Sequence, residues 1–164
     1  MPESEASKSR LVSEIELWHS VLSQFGGEFG YRAVSEIRRF IGAHQLLTPT
    51  TASSFDAAFD AQIVQKLLPK LSGSRRELEP ILVAVAVLCE RQRTWVGDPP
   101  SIDGSDELRK AAIRAAKLDD LSLHPLDEHS EPRASTMSYP LGYGKACRML
   151  QRLTQVGFAS FAEA

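Results

Sequence analysis

Two groups of basic side chains have the types and spacing to do chemistry in this sequence. Lys66 and Lys70 bracket Leu68-Pro69, and Arg75-Arg76 follow shortly after. Together they make a basic patch around one helix end, suited to contact with a neighbouring subunit, with DNA or with nucleotide. The competing reading is a solvated helix terminus whose cations complement the helix dipole. Lys145, Arg148 and Arg152 recur at the spacing of one helix face, and such a row can meet DNA phosphates if its helix lies in a groove. Arg32 stands just after Gly30-Tyr31, where a helical pattern starts, and can pair with Glu28 or Glu36 along the helix surface.

Other chemistry is missing from the sequence. No G-x-x-x-x-G-K-[ST] run exists to cradle a phosphate, and no G-x-S-x-G surrounds a serine nucleophile. His19, His44, His124 and His129 match no zinc spacing, and neither Cys89 nor Cys147 lies near them in sequence. Most carboxylates fall on faces expected to meet water. An enzyme acting alone is therefore the least favoured class, and no metal is expected.

These residues must be positioned by a folded chain. With 164 residues, 43% hydrophobic and 24% charged, the sequence has ordinary globular proportions and enough length to bury a core without staples. Two widely spaced cysteines fit a reducing compartment. The polar start carries no secretory pattern, which points to the cytoplasm. The most apolar stretch, residues 81–89, is far shorter than the roughly 20 residues that cross a bilayer, so no membrane partner is expected. A formal charge of −2 supplies no overall attraction for nucleic acid; any DNA contact has to be a local patch.

The apolar pattern predicts a mainly α-helical bundle with a C-terminal helix and a short strand. Leu11, Ile15, Trp18, Leu22 and Phe25 form one helical stripe that ends at Gly26-Gly27. Val34, Ile37 and Ile41 mark a second helix. A loop over residues 48–54, with Ser53 or Ser54 as cap, leads into a third, on which Phe55, Phe59, Ile63 and Leu67 repeat every fourth residue. Ser74 and Glu77 have capping-box spacing before a buried helix that Pro80 should kink or delay. A weaker, loosely packed helix over residues 106–121 uses Leu108, Ala112, Ala115 and Leu118. In the last helix, residues 143–156, Ala146, Met149, Leu150 and Leu153 point inward and Lys145, Arg148 and Arg152 outward. Gly157 ends it, and residues 158–161 read as a short strand. The organisation is a helical body over residues 9–95, a linker with one weaker helix over residues 96–138, and the C-terminal helix and strand over residues 139–164.

Three blocks carry a resemblance. Residues 28–37, EFGYRAVSEI, look like the "F-G-[YF]-R-V-x-x-E-I" segment near the end of McrB-like AAA+ proteins. Residues 59–74, FDAQIVQKLLPKLSGS, resemble that family's "D-x-Q-[IL]-x-Q-K-[IVL]-L-P-K-[IL]-x-G-S" block. Tyr139-Pro140-Leu141, Lys145, Arg148-Met149-Leu150 and residues 157–161, GFASF, resemble its terminal pattern. The order of the blocks is that of the family, and they bracket most of the chain from about residue 11 onward.

The resemblance implies an AAA+ lid subdomain, a small helical bundle that packs over nucleotide bound elsewhere. Arg32 occupies the place of the lid arginine that contacts a terminal phosphate, a role that suits its rigid, permanently charged fork of donors. The nucleotide-binding core of the family would precede this sequence, so the chain is expected to bind no cofactor and hydrolyse nothing alone. In an assembled complex the cofactor would be ATP or GTP with Mg. The implied partners are an AAA+ core or homologous NTPase subunit, a nuclease of the restriction system, and DNA. The alternatives are a winged-helix-like DNA-binding module, with residues 158–161 as the wing, and a docking partner without catalysis.

Overall fold

The first helix begins within the polar start, ahead of its apolar stripe, and it hands the chain to a bundle wound around one apolar helix. The computed structural model describes residues 5–49, 51–90, 106–115 and 139–164. Helix α1 (Glu5–Gln24) buries Leu11, Ile15, Trp18 and Leu22 as their spacing requires. It starts earlier than the stripe predicts. It ends where Gly26 takes a left-handed conformation at φ 80° and the Gly27 N–H donates to Leu22 O at 2.8 Å. A Cβ on Gly27 would sit 2.6 Å from Ile81 Cγ2, so the turn is pressed onto a later helix with no room for a side chain.

Helix α2 (Tyr31–Leu47) buries Ala33, Ile37 and Ile41. Helix α3 (Ala52–Gln62) is capped by Thr51 and not by Ser53 or Ser54: the Thr51 side chain accepts from Ser54 N, and Ser54 Oγ accepts from Thr51 N. Sequence spacing predicts one helix to Leu68, but a π-helical turn over Ile63–Leu67 and a 3-10 turn over Leu68–Lys70 interrupt it. The cause lies in the repeat itself. Side chains every fourth residue drift around an α-helix of about 3.6 residues per turn, and a wider turn returns Ile63, Leu67 and Leu68 to the core.

Strand β1 (Ser72–Ser74) leads into helix α4 (Arg75–Glu90), and Pro80 does not delay the helix start. From Ile81 to Glu90 every residue of α4 is buried, as expected of a helix apolar on all sides. It packs against α1, against helix α5 (Asp106–Ala115) and against helix α6 (Pro140–Val156). Gly157, at φ 79°, ends α6 and turns the chain into strand β2 (Phe158–Ser160). β2 pairs antiparallel with β1, Ser72 opposite Ser160 and Ser74 opposite Phe158.

The buried face of α5 differs from the predicted one. It carries Arg109, Ala112 and Ile113 rather than a stripe led by Leu108, which is only partly buried. Arg109 is fully buried because its guanidinium forks onto Glu90 at the end of α4, at 3.2 and 2.9 Å. That pairing replaces the loose packing expected of α5. Leu118 and the turn over residues 96–105 lie outside the described residues, as does most of the predicted linker.

Candidate functional site

Residues of the three blocks meet in space, and their contacts decide which side chains remain available. Tyr31 opens α2 behind Gly30, which provides no side-chain cap. Both Tyr31, 85% exposed, and the Arg32 side chain, 92% exposed, face solvent. Arg32 Nε donates to Glu36 Oε1 at 3.1 Å, and Lys66 Nζ lies 2.7 Å from Glu36 Oε2. The hydrogen bonds from Lys66 and then Arg32 hold the Glu36 carboxyl below its usual range. Arg32 thus pairs with Glu36, one of its two expected partners, and remains open to a further ligand.

The second patch divides. Lys66 is taken by Glu36, and Arg75 is held by Glu79, with Nε 3.1 Å from Oε2, which raises its pKa. Among the described residues neither Lys70 nor Arg76 forms an ion pair. Both line an open cleft of about 530 Å³ between the α1–α2 turn and the β1–α4 junction, walled by Phe25, Leu71 and Pro80. Glu77 also faces it, but its Oε2 accepts from Ser74 N at 3.1 Å and from Ser74 Oγ at 2.9 Å. The Ser74 backbone N–H, followed by the hydroxyl, keeps that carboxyl ionised below its usual range.

The α6 row is not the outward stripe that its spacing predicts. Arg148 is exposed, but Lys145 is buried. Lys145 Nζ donates to the Ala164 main-chain oxygen and sits 4.3 Å from the Phe161 ring centre, a cation–π contact. Burial, with Arg148 nearby, lowers its pKa. Arg152 is half-buried, and its Nε is buried without a hydrogen-bond partner. The reason is the chain beyond Gly157, which folds back along α6 as β2 and then as a 3-10 turn over Phe161–Glu163, and covers part of the face that a single helix would leave to water. α6 therefore offers one exposed cation of the three, Arg148, to any phosphate.

Besides Glu90, two further buried carboxylates, Asp60 and Glu14, were not singled out by sequence reasoning. Asp60 accepts from Leu141 N at 2.8 Å and from Gly142 N at 2.7 Å, and so caps α6 from a helix far away in sequence. Burial raises its pKa, against the pull of those two amides. Gly142 is required there, since a Cβ would lie 2.9 Å from Ile63 Cγ2 and 3.2 Å from Asp60 Oδ1. Glu14 accepts from Trp18 Nε1 at 3.1 Å and from Tyr139 Oη at 2.8 Å, inside an aromatic group completed by Phe59. Only the Glu14–Trp18 half, one helical turn apart, has a local signal in the sequence.

Among the described residues no three His, Cys, Asp or Glu side chains gather as a metal site, and no helix is long and apolar enough to cross a membrane. His124 and His129 lie outside the described residues. No curated protein and no solved structure matches the chain. A family model described as a domain of unknown function, DUF8727, matches residues 2–158, nearly the whole sequence, and the chain belongs to that family.

Proposed function

We propose that this chain is a lid-type accessory domain of an AAA+ NTPase of the McrB-like restriction and defence kind. In this reading Arg32 reaches the terminal phosphate of ATP or GTP, held with Mg in a core that another segment or subunit supplies. One observation carries it: the three resembling blocks interlock while Arg32 stays in solvent. Glu36 of the first block meets Lys66 of the second. Asp60 and β1 of the second hold the start of α6 and β2 in the third. Glu36, Lys66, Asp60 and the paired strands are thereby spent on joining the blocks, and the exposed start of α2 is left over.

That start suits an anion, because the first N–H groups of a helix point outward with the positive end of its dipole. An exposed Arg–Glu pair is weakly held in water, so a phosphate can compete with Glu36 for the guanidinium. DNA contact through α6 would rest mainly on Arg148. A nuclease and DNA would be engaged by the assembled system and located within a cell's cytoplasm.

The test is to isolate the tagged chain with its NTPase core from the native cell and measure ATP and GTP hydrolysis with Arg32 and with Arg32→Ala. A lost charge-assisted hydrogen bond is worth about 1.5–3 kcal/mol, which corresponds to roughly 10- to 100-fold in rate. That loss, in an assembly of unchanged mass, is the expected outcome. An assembly without any P-loop subunit, or full hydrolysis by Arg32→Ala, would overturn the proposal.

A further inference from the structure

The open cleft between the α1–α2 turn and the β1–α4 junction combines two features that the Arg32 site lacks. Its walls include the apolar side chains of Phe25, Leu71 and Pro80, and its volume of about 530 Å³ accommodates one or two side chains. Its basic groups, Lys70 and Arg76, are exposed and form no ion pair among the described residues, whereas the neighbouring Lys66 and Arg75 are each paired. Glu77, the one acid on the cleft, is turned to Ser74. Cations left unpaired beside half-buried apolar side chains ask for a ligand that brings both carboxylates and an apolar side chain.

We infer that this cleft is a docking site for an acidic segment of a partner protein. Its carboxylates pair with Lys70 and Arg76, and an adjacent apolar side chain lies on Phe25, Leu71 and Pro80. The open mouth favours a chain segment over a small molecule, which needs most of its surface enclosed. Arg76 suits such a ligand because its fork binds a carboxylate at two points. Opposite charges also raise the rate of encounter and make binding sensitive to salt. The site does not depend on Arg32 or on any nucleotide.

The probe is a synthetic peptide of alternating Glu and Leu, titrated into the ¹⁵N-labelled full chain and followed by amide shifts. Saturable shifts at Gly26, Leu71 and Ser72 are expected. The doubly charge-reversed variant Lys70→Glu/Arg76→Glu should weaken binding at least tenfold, an order set by the loss of two charge-assisted contacts. A Glu→Gln peptide and a Leu→Ser peptide should each bind more weakly than the parent. Arg75→Ala, outside the cleft, should stay within about twofold, as expected for an exposed pair of little net worth. No saturable shifts, shifts mapping elsewhere, or an unchanged affinity in the charge-reversed variant would overturn the inference. So would inorganic phosphate or a DNA duplex giving the same shifts at lower concentration.

Discussion

Replacing Asp60 by alanine removes both acceptors that hold the start of α6. The Gly142 N–H is buried, and the Leu141 N–H is partly buried. Each donor left without a partner costs about 1–3 kcal/mol, with the lower figure for a group that water can reach. Losing an aspartate cap by itself costs about 0.5–2 kcal/mol. Relief from burying a carboxylate offsets part of this, since burial is the largest influence on its pKa. The net loss expected is about 2–3 kcal/mol. For a chain of this length each kcal/mol moves the melting temperature by roughly 2–4 °C, so Asp60→Ala should melt some 4–12 °C lower. Thermal denaturation followed by far-ultraviolet circular dichroism, with urea titration alongside, measures it. A melting temperature within about 2 °C of wild type would refute long-range capping of α6.

The same carboxyl gives a pH signature. Its folded pKa is raised, so the folded state holds its proton more tightly than the unfolded state does. Asp60 therefore contributes most stability below its unfolded pKa of about 3.9, and the contribution is lost as pH rises through the folded value. The advantage of wild type over Asp60→Asn, which cannot ionise, should narrow as pH rises over that window. A widening advantage would mean that the two amides outweigh burial.

Other perturbations test the packing around the site. Arg109→Ala leaves Glu90 buried without its partner and should destabilise the chain by about 3–5 kcal/mol, whereas Glu90→Leu/Arg109→Met should recover most of that loss in urea denaturation. An equal loss in single and double variants would contradict the reading of an isolated buried pair. Gly142→Ala forces a methyl against Ile63 and Asp60; overpacking of this kind costs about 1–3 kcal/mol, and a variant as stable as wild type in the same assay would show that α6 can shift freely.

Local rules in the sequence determined the helices that they govern. The stripe of α1, its glycine exit, the inward face of Ala146, Met149, Leu150 and Leu153, and the Gly157 stop all follow from spacing and from backbone freedom within a few residues. Tertiary structure decided everything that joins distant segments. The sequence marks Asp60, Gly142, Glu90 and Arg109 as polar or small residues, but their pairing is set by which helices pack together. It shows Lys145, Arg148 and Arg152 as one basic row, yet the chain after Gly157 folds back so that Phe161 and Ala164 cover Lys145, while Arg148 stays in water. Lys66, Lys70, Arg75 and Arg76 likewise read as one patch. Only the fold, by seating Glu36 and Glu79 beside two of them, separates the paired cations from those free to bind. The physical reason is range: helix periodicity acts over a turn or two, whereas burial and charge pairing depend on neighbours that the chain brings together only when it closes.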